Sequence, residues 1–128
     1  MQFEVTNRRE EKEGMIFKKT IFKASVAIHL DTDEFEAIKA MAKEKTWRDY
    51  PLGTIDFTNK IKHEMTVAGF YEGVKKKGRY ESGIRADMPE EREFKINQFQ
   101  DVARAAKDVI ATRLSALSAS DEDVSIEI

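Results

Sequence analysis

Phe99, Val102, Ala106, Val109, Ile110, Leu114 and Leu117 recur at steps of three and four, while Arg104, Lys107, Asp108, Thr112 and Arg113 fall mostly on the other side. That stripe commits about five turns of chain to a helix, and such a helix persists only when its apolar side is covered. The rest of the chain must therefore supply a covering surface. Residues 20–30 are suited to it: Phe22, Ala24, Val26, Ile28 and Leu30 are apolar, whereas the odd positions include Lys19, Lys23, Ser25 and His29. This is a strand with one packed face. Phe3 and Val5 alternate with Gln2, Glu4 and Thr6 as a shorter strand, which runs into a polar loop over 10–14 closed by Gly14. The two segments predict an antiparallel hairpin.

Asp31 is placed to cap a helix beginning at Thr32, with Glu34 completing a capping box and Phe35, Ile38, Met41 and Ala42 at helical spacing. After a loop over 47–53, Thr54 as cap and Phe57, Ile61, Met65 and Ala68 predict a second helix. Gly69, Gly73, Gly78 and Gly83 then mark residues 70–88 as irregular or as a weak hairpin through Lys77-Gly78. Beyond Pro89, Phe94 and Ile96 alternate with Glu93 and Lys95 as a strand, and Asn97 can cap the long helix. Residues 118–123 release the chain into a terminal strand carrying Val124, Ile126 and Ile128. The expected fold is α+β: a small mixed sheet, made from the N-terminal β-hairpin and a C-terminal right-handed βαβ unit, with helices packed on one face.

A chain of 128 residues with 41% hydrophobic side chains can bury one core, so residues 1–128 are read as a single domain. Charged residues reach 36%, above the roughly 25% of an average domain, yet 22 bases and 24 acids leave a net charge of −2. No global field directs this chain to DNA or an anionic bilayer. Cysteine is absent, which removes disulfides and thiolate chemistry. Residues 1–5 lack the apolar core of a signal peptide, and no run of about 18 apolar residues occurs anywhere. The expectation is a cytoplasmic protein with no membrane association and no cofactor.

Two histidines leave little material for a nucleophilic triad or a histidine-rich metal site. His63-Glu64 opens like a zinc-protease motif, but Val67 stands where the second histidine belongs, and the pair reads as surface residues of a helix. In Asp31-Thr32-Asp33 the calcium-loop pattern fails at Phe35 and Glu36, and capping accounts for it better. Asp121-Glu122-Asp123 reads as a solvated acidic turn, so no metal is expected. Gly73 and Gly78 have the separation of a phosphate loop, but Arg79 and Tyr80 replace its lysine and hydroxyl.

The same stretch concentrates Phe70, Tyr71, Lys75, Lys76, Lys77, Arg79, Tyr80 and Arg85 against Glu72 and Glu81. Cations neutralise phosphates and flat rings stack on unpaired bases, so residues 70–85 are the candidate site for a nucleic acid or another anionic ligand. That is the alternative reading, set against a mobile solvated connection anchored by its aromatics. The leading one is a non-enzymatic interaction or assembly module, homo-oligomeric through the second strand. Residues 17–30 exceed the usual strand of about 5 to 6 residues, and the partner over 2–9 is too short to pair them all. On the solvent side of that strand Ile21 and Ala27 interrupt polar positions. An enzyme is a distant third, because no carboxylate pair is singled out among the acids.

Overall fold

A computed structural model describes residues 1–58 and 61–124, with side chains for 1–57 and 61–117. The described elements run β1 (Gln2–Glu13), β2 (Lys19–His29), α1 (Thr32–Lys43), β3 (Pro51–Thr58), β4 (Ile61–Thr66), α2 (Val67–Val74), β5 (Arg79–Ala86) and α3 (Pro89–Val124). β1, β2 and β5 form one antiparallel sheet with β2 in the centre, and β3 and β4 form a separate antiparallel hairpin. The fold is α+β, with both sheets antiparallel.

The N-terminal hairpin forms as expected but is longer. β1 continues through the charged run to Glu13 and pairs with β2 from Gln2 opposite His29 to Glu13 opposite Lys19. Its register slips between Thr6 and Arg9, leaving Asn7 and Arg8 opposite Ala24 alone. Asn7 adopts φ 56, a left-handed conformation that asparagine tolerates better than most residues. The bulge shifts the alternation by one, so Arg9, Glu11 and Glu13 take up the outward face that Glu4 and Thr6 began. On the other edge β2 pairs with β5, from Phe22 opposite Ala86 to His29 opposite Arg79. β1 thus covers the strand length expected to be unpaired, while β5 covers β2 on the other side only over 22–29 and leaves 19–21 open there.

Three further segments differ from expectation. β3 and β4 form a hairpin where the spacing predicts a helix capped by Thr54, and Gly53, just before that position at φ 139, lets the backbone approach Val102 of α3. The β-branched Thr54, Ile55, Ile61 and Thr66 suit strands, and Leu52, Ile55 and Met65 are the side chains buried. Residues 70–88 are ordered: Thr66 Oγ1 accepts from Gly69 N at 3.1 Å to cap α2, whose Val67, Phe70 and Val74 share one buried face, and β5 follows. Finally, α3 begins at Pro89, so Phe94 and Ile96 belong to it, Asn97 is interior and the first strand of the expected βαβ unit is helix instead. Helix also covers 118–124 in place of the expected release, Val124 ends it, and the expected Ile126 and Ile128 lie outside the described residues.

α1 begins at the predicted capping box. Glu34 N donates to Asp31 Oδ1 at 2.8 Å and Asp31 N donates to Glu34 Oε1 at 3.0 Å. Ile38, Met41 and Ala42 join Ala24, Val26 and Ile28 of β2, Ile55 of β3, Phe70 of α2 and Phe99, Val102, Ala106, Val109 and Ile110 of α3 in one apolar cluster. Past Ile110 the stripe leaves the body: Leu114 and Leu117, expected in the core, are 40% and 50% exposed.

Lys95 is buried where β3, β5 and α3 meet. Its Nζ donates to Phe57 O at 2.8 Å and Arg85 O at 2.9 Å and pairs with Glu91 at 3.2 Å. Gln98, one turn on, accepts from Asp56 N at 2.9 Å. A helix thus satisfies backbone groups of two strands that do not pair with one another.

Candidate functional site

The residues singled out between 70 and 85 do not share a surface. Phe70 is fully buried and stacks on Tyr80 at 5.9 Å between ring centroids, while Tyr80 also meets Phe99 at 6.1 Å. Burial raises the Tyr80 hydroxyl above its ordinary pKa. Tyr71 is half-buried and packs on Phe35 at 6.0 Å. None of these three rings stands clear of the body as a stacking platform. Lys75 pairs with Glu72 at 2.6 Å, which raises its pKa, and Lys76 and Lys77 lie exposed in the turn after α2. Arg79 and Arg85 are on β5, where Arg79 pairs with Glu81 at 2.6 Å and Arg85 with Glu13.

Those two arginines belong to the outward face of the three-stranded sheet. Lys23 bridges Glu11 at 2.6 Å and Glu13 at 2.9 Å, and Arg9 holds Glu11 at 2.7 Å, so bases and acids alternate across the strands. Hydrogen bonds from Lys23 and Arg9 hold the Glu11 carboxyl down at about 2, and those from Lys23 and Arg85 lower Glu13. Ile21 falls on this face by register yet is 2% exposed, so it is not free to bind another chain. Towards the other end, a shallow trough of about 430 Å³ is floored by Thr6, Ser25, Ala27 and Gly83 and walled by the His29–Glu4 pair at 2.9 Å and by Arg79–Glu81. Its charged walls are satisfied by one another. His63, expected on a helix, is an exposed residue of β4 whose ring lies 6.4 Å from that of Phe57. Among the described residues no group of three or more acids and histidines is arranged to hold a metal, and no helix is long and apolar enough to cross a membrane.

The feature missed in the sequence is the tip of the β1–β2 hairpin. Met15 is 100% exposed, Ile16 86% and Phe17 89%, three consecutive large apolar side chains with no packing role. Gly14 fixes their turn: its φ is 122, and a Cβ there would stand 2.2 Å from Phe17 O. The hairpin also outreaches its neighbour, since β5 pairs with β2 only as far as Phe22. The available signal was an apolar triplet directly after a glycine in a segment that had to turn, where polar residues are the norm. Phe17, within the strand expected over 17–30, lies outside β2.

More apolar surface lies at the same end. Lys19 pairs with Asp87 at 2.9 Å, Arg92 lies over the Phe22 ring at 5.8 Å and Arg8 holds Glu93 at 3.0 Å, which places the start of α3 beside the base of the tip. Met88 and Phe94, each 56% exposed, are on that segment, and Phe94 lines a shallow depression with Pro89, Glu90, Glu93 and Asn97. No protein-family model, no curated protein and no solved structure matches this chain.

Proposed function

We propose that this protein works by binding, as an interaction module whose contact element is the β1–β2 hairpin tip. The carrying observation is the exposure of Met15, Ile16 and Phe17 on a turn held by Gly14. Apolar groups that contribute nothing to the core lose free energy by standing in water, at about 25 cal/mol per Å², and are released from that cost when a partner covers them. The outward face of the three-stranded sheet is largely neutralised by its own ion pairs, whereas nothing within the molecule covers the tip.

A photoreactive residue at position 16 tests this directly. In extracts of the source cells it is expected to give discrete adducts that the same probe at Glu36, exposed on α1, does not give. Equal and diffuse labelling from both positions would refute the reading.

A further inference from the structure

Resting on that docking role, we infer that the partner is a second copy of this chain, bound about a two-fold axis so that each hairpin tip lies against the start of the other copy's α3. Three observations lead there. Tip and acceptor differ in charge: Lys18 beside the tip is exposed, Glu90 beside Phe94 is exposed, and neither has an ion-pair partner among the described residues. Apolar meets apolar while a lysine meets a glutamate. Both elements also occur at one end of the same molecule, so a single rotation satisfies two tip-to-helix contacts at once, the condition for a closed isologous dimer.

Area agrees with this. Three tip side chains expose roughly 500 Å² at about 150 to 200 Å² each, and Met88 and Phe94 add roughly 200 Å². The sum approaches the ~800 Å² per partner of a standard interface. A net charge of −2 gives two copies little reason to repel. An anionic bilayer fits less well, because Glu90, without an ion-pair partner among the described residues, lies beside Phe94 and would face its negative surface.

The test is sedimentation velocity of the full chain from roughly 5 to 200 µM, which brackets a dissociation constant in the micromolar range. The expected species has twice the 14.7 kDa of the chain. Phe17→Asp and, separately, Phe94→Asp should each weaken it by about a hundredfold or more, as loss of a central aromatic anchor does at both copies. At dilutions where the parent is monomeric, circular dichroism melts should match the parent, since both rings are largely exposed. Lys18→Glu should weaken it about 2- to 30-fold, and adding Glu90→Lys should restore it. A species of 14.7 kDa at the highest concentration, a dimer indifferent to both aspartates, or charge reversals that do not compensate would each overturn the inference. So would a monomer whose tip binds phosphatidylserine vesicles. A position-16 adduct of any mass other than the dimer would leave the docking role standing and refute self-pairing alone.

Discussion

Replacing Lys95 by methionine isolates the contribution of a single amine to the junction between the two sheets. The side chain is 6% exposed, and its Nζ serves two backbone carbonyls and one carboxylate. Methionine fills nearly the same volume, so no large cavity opens. What is lost is polar satisfaction. Phe57 O and Arg85 O each lose a charged donor, at about 1 to 3 kcal/mol for a buried acceptor left unpaired. Glu91 keeps 30% of its side-chain surface in water, so its loss of a partner is mostly made good by solvent. The net expectation is about 2 to 5 kcal/mol, a large part of the roughly 5 to 15 kcal/mol that holds a domain folded. Urea unfolding followed by circular dichroism measures it, with an unchanged m-value confirming that the same transition is compared. The exposed Lys107→Met is the control and should be near neutral. A Lys95→Met loss below about 1 kcal/mol would refute the view that this amine ties the strands together.

Other expectations follow from burial and charge. Val109→Ala should cost about 1 to 3 kcal/mol while Leu114→Ala costs less than about 1, because only the first is buried; equal losses in denaturant would place both on the core. Glu11, Glu13 and Asp87 have folded-state pKa values below their ordinary ones, so their stabilising effect is complete above about 4.5 and is lost as pH falls towards about 2. The melting temperature should drop across that window and drop less steeply in Glu11→Gln; parallel curves would show that the sheet-face ladder does not contribute. Gly73→Ala, despite a helix-propensity gain of about 1 kcal/mol, should destabilise, since the new Cβ would stand 2.3 Å from the Tyr80 ring wedged between Phe70 and Phe99. A raised melting temperature would contradict that packing. Lys75, Lys76 and Lys77 changed together to glutamine should leave thermal stability and low-salt oligonucleotide binding as in the parent, and a fall in binding would revive the anionic-ligand reading.

Where signals were local, the sequence was readable. The capping box at Asp31 and the alternation over Ala24, Val26 and Ile28 specify their elements without help from distant residues. Elsewhere tertiary contacts decided. The period-four spacing of Phe57, Ile61 and Met65 imitates a helix, although the first and second are exposed and only Met65 is buried. Gly69 and Gly73 argue against a helix by propensity, yet α2 keeps Gly73 because Tyr80 occupies the space a side chain would need. The bulge at Asn7 conceals the second half of β1, since the alternation changes phase and the outward positions become wholly charged. Phe94 and Ile96 suggest a strand with one packed face, but Phe94 is exposed while Lys95 and Ile96 are both buried, which the helix turns inward together. Of the candidate site, Arg79 and Arg85 fall on the same outward face at opposite ends of β5, whereas the aromatic rings serve the interior, which no one-dimensional pattern distinguishes from a binding platform.

The arrangement around Lys95 and Gln98 bears on how this chain avoids aggregating. Exposed strand edges are templates for cross-β growth. Here β3 and β5 meet helix side chains at Asp56, Phe57 and Arg85, so incoming strands find donors and acceptors already engaged. β1 is distorted at Asn7, and β4 presents exposed Lys62, His63 and Glu64. Three devices thus make the four edges poor seeds. Fibril formation, tracked by thioflavin fluorescence, should consequently accelerate in Lys95→Met well below the denaturant needed to unfold it, as the uncovered carbonyls recruit neighbouring backbones.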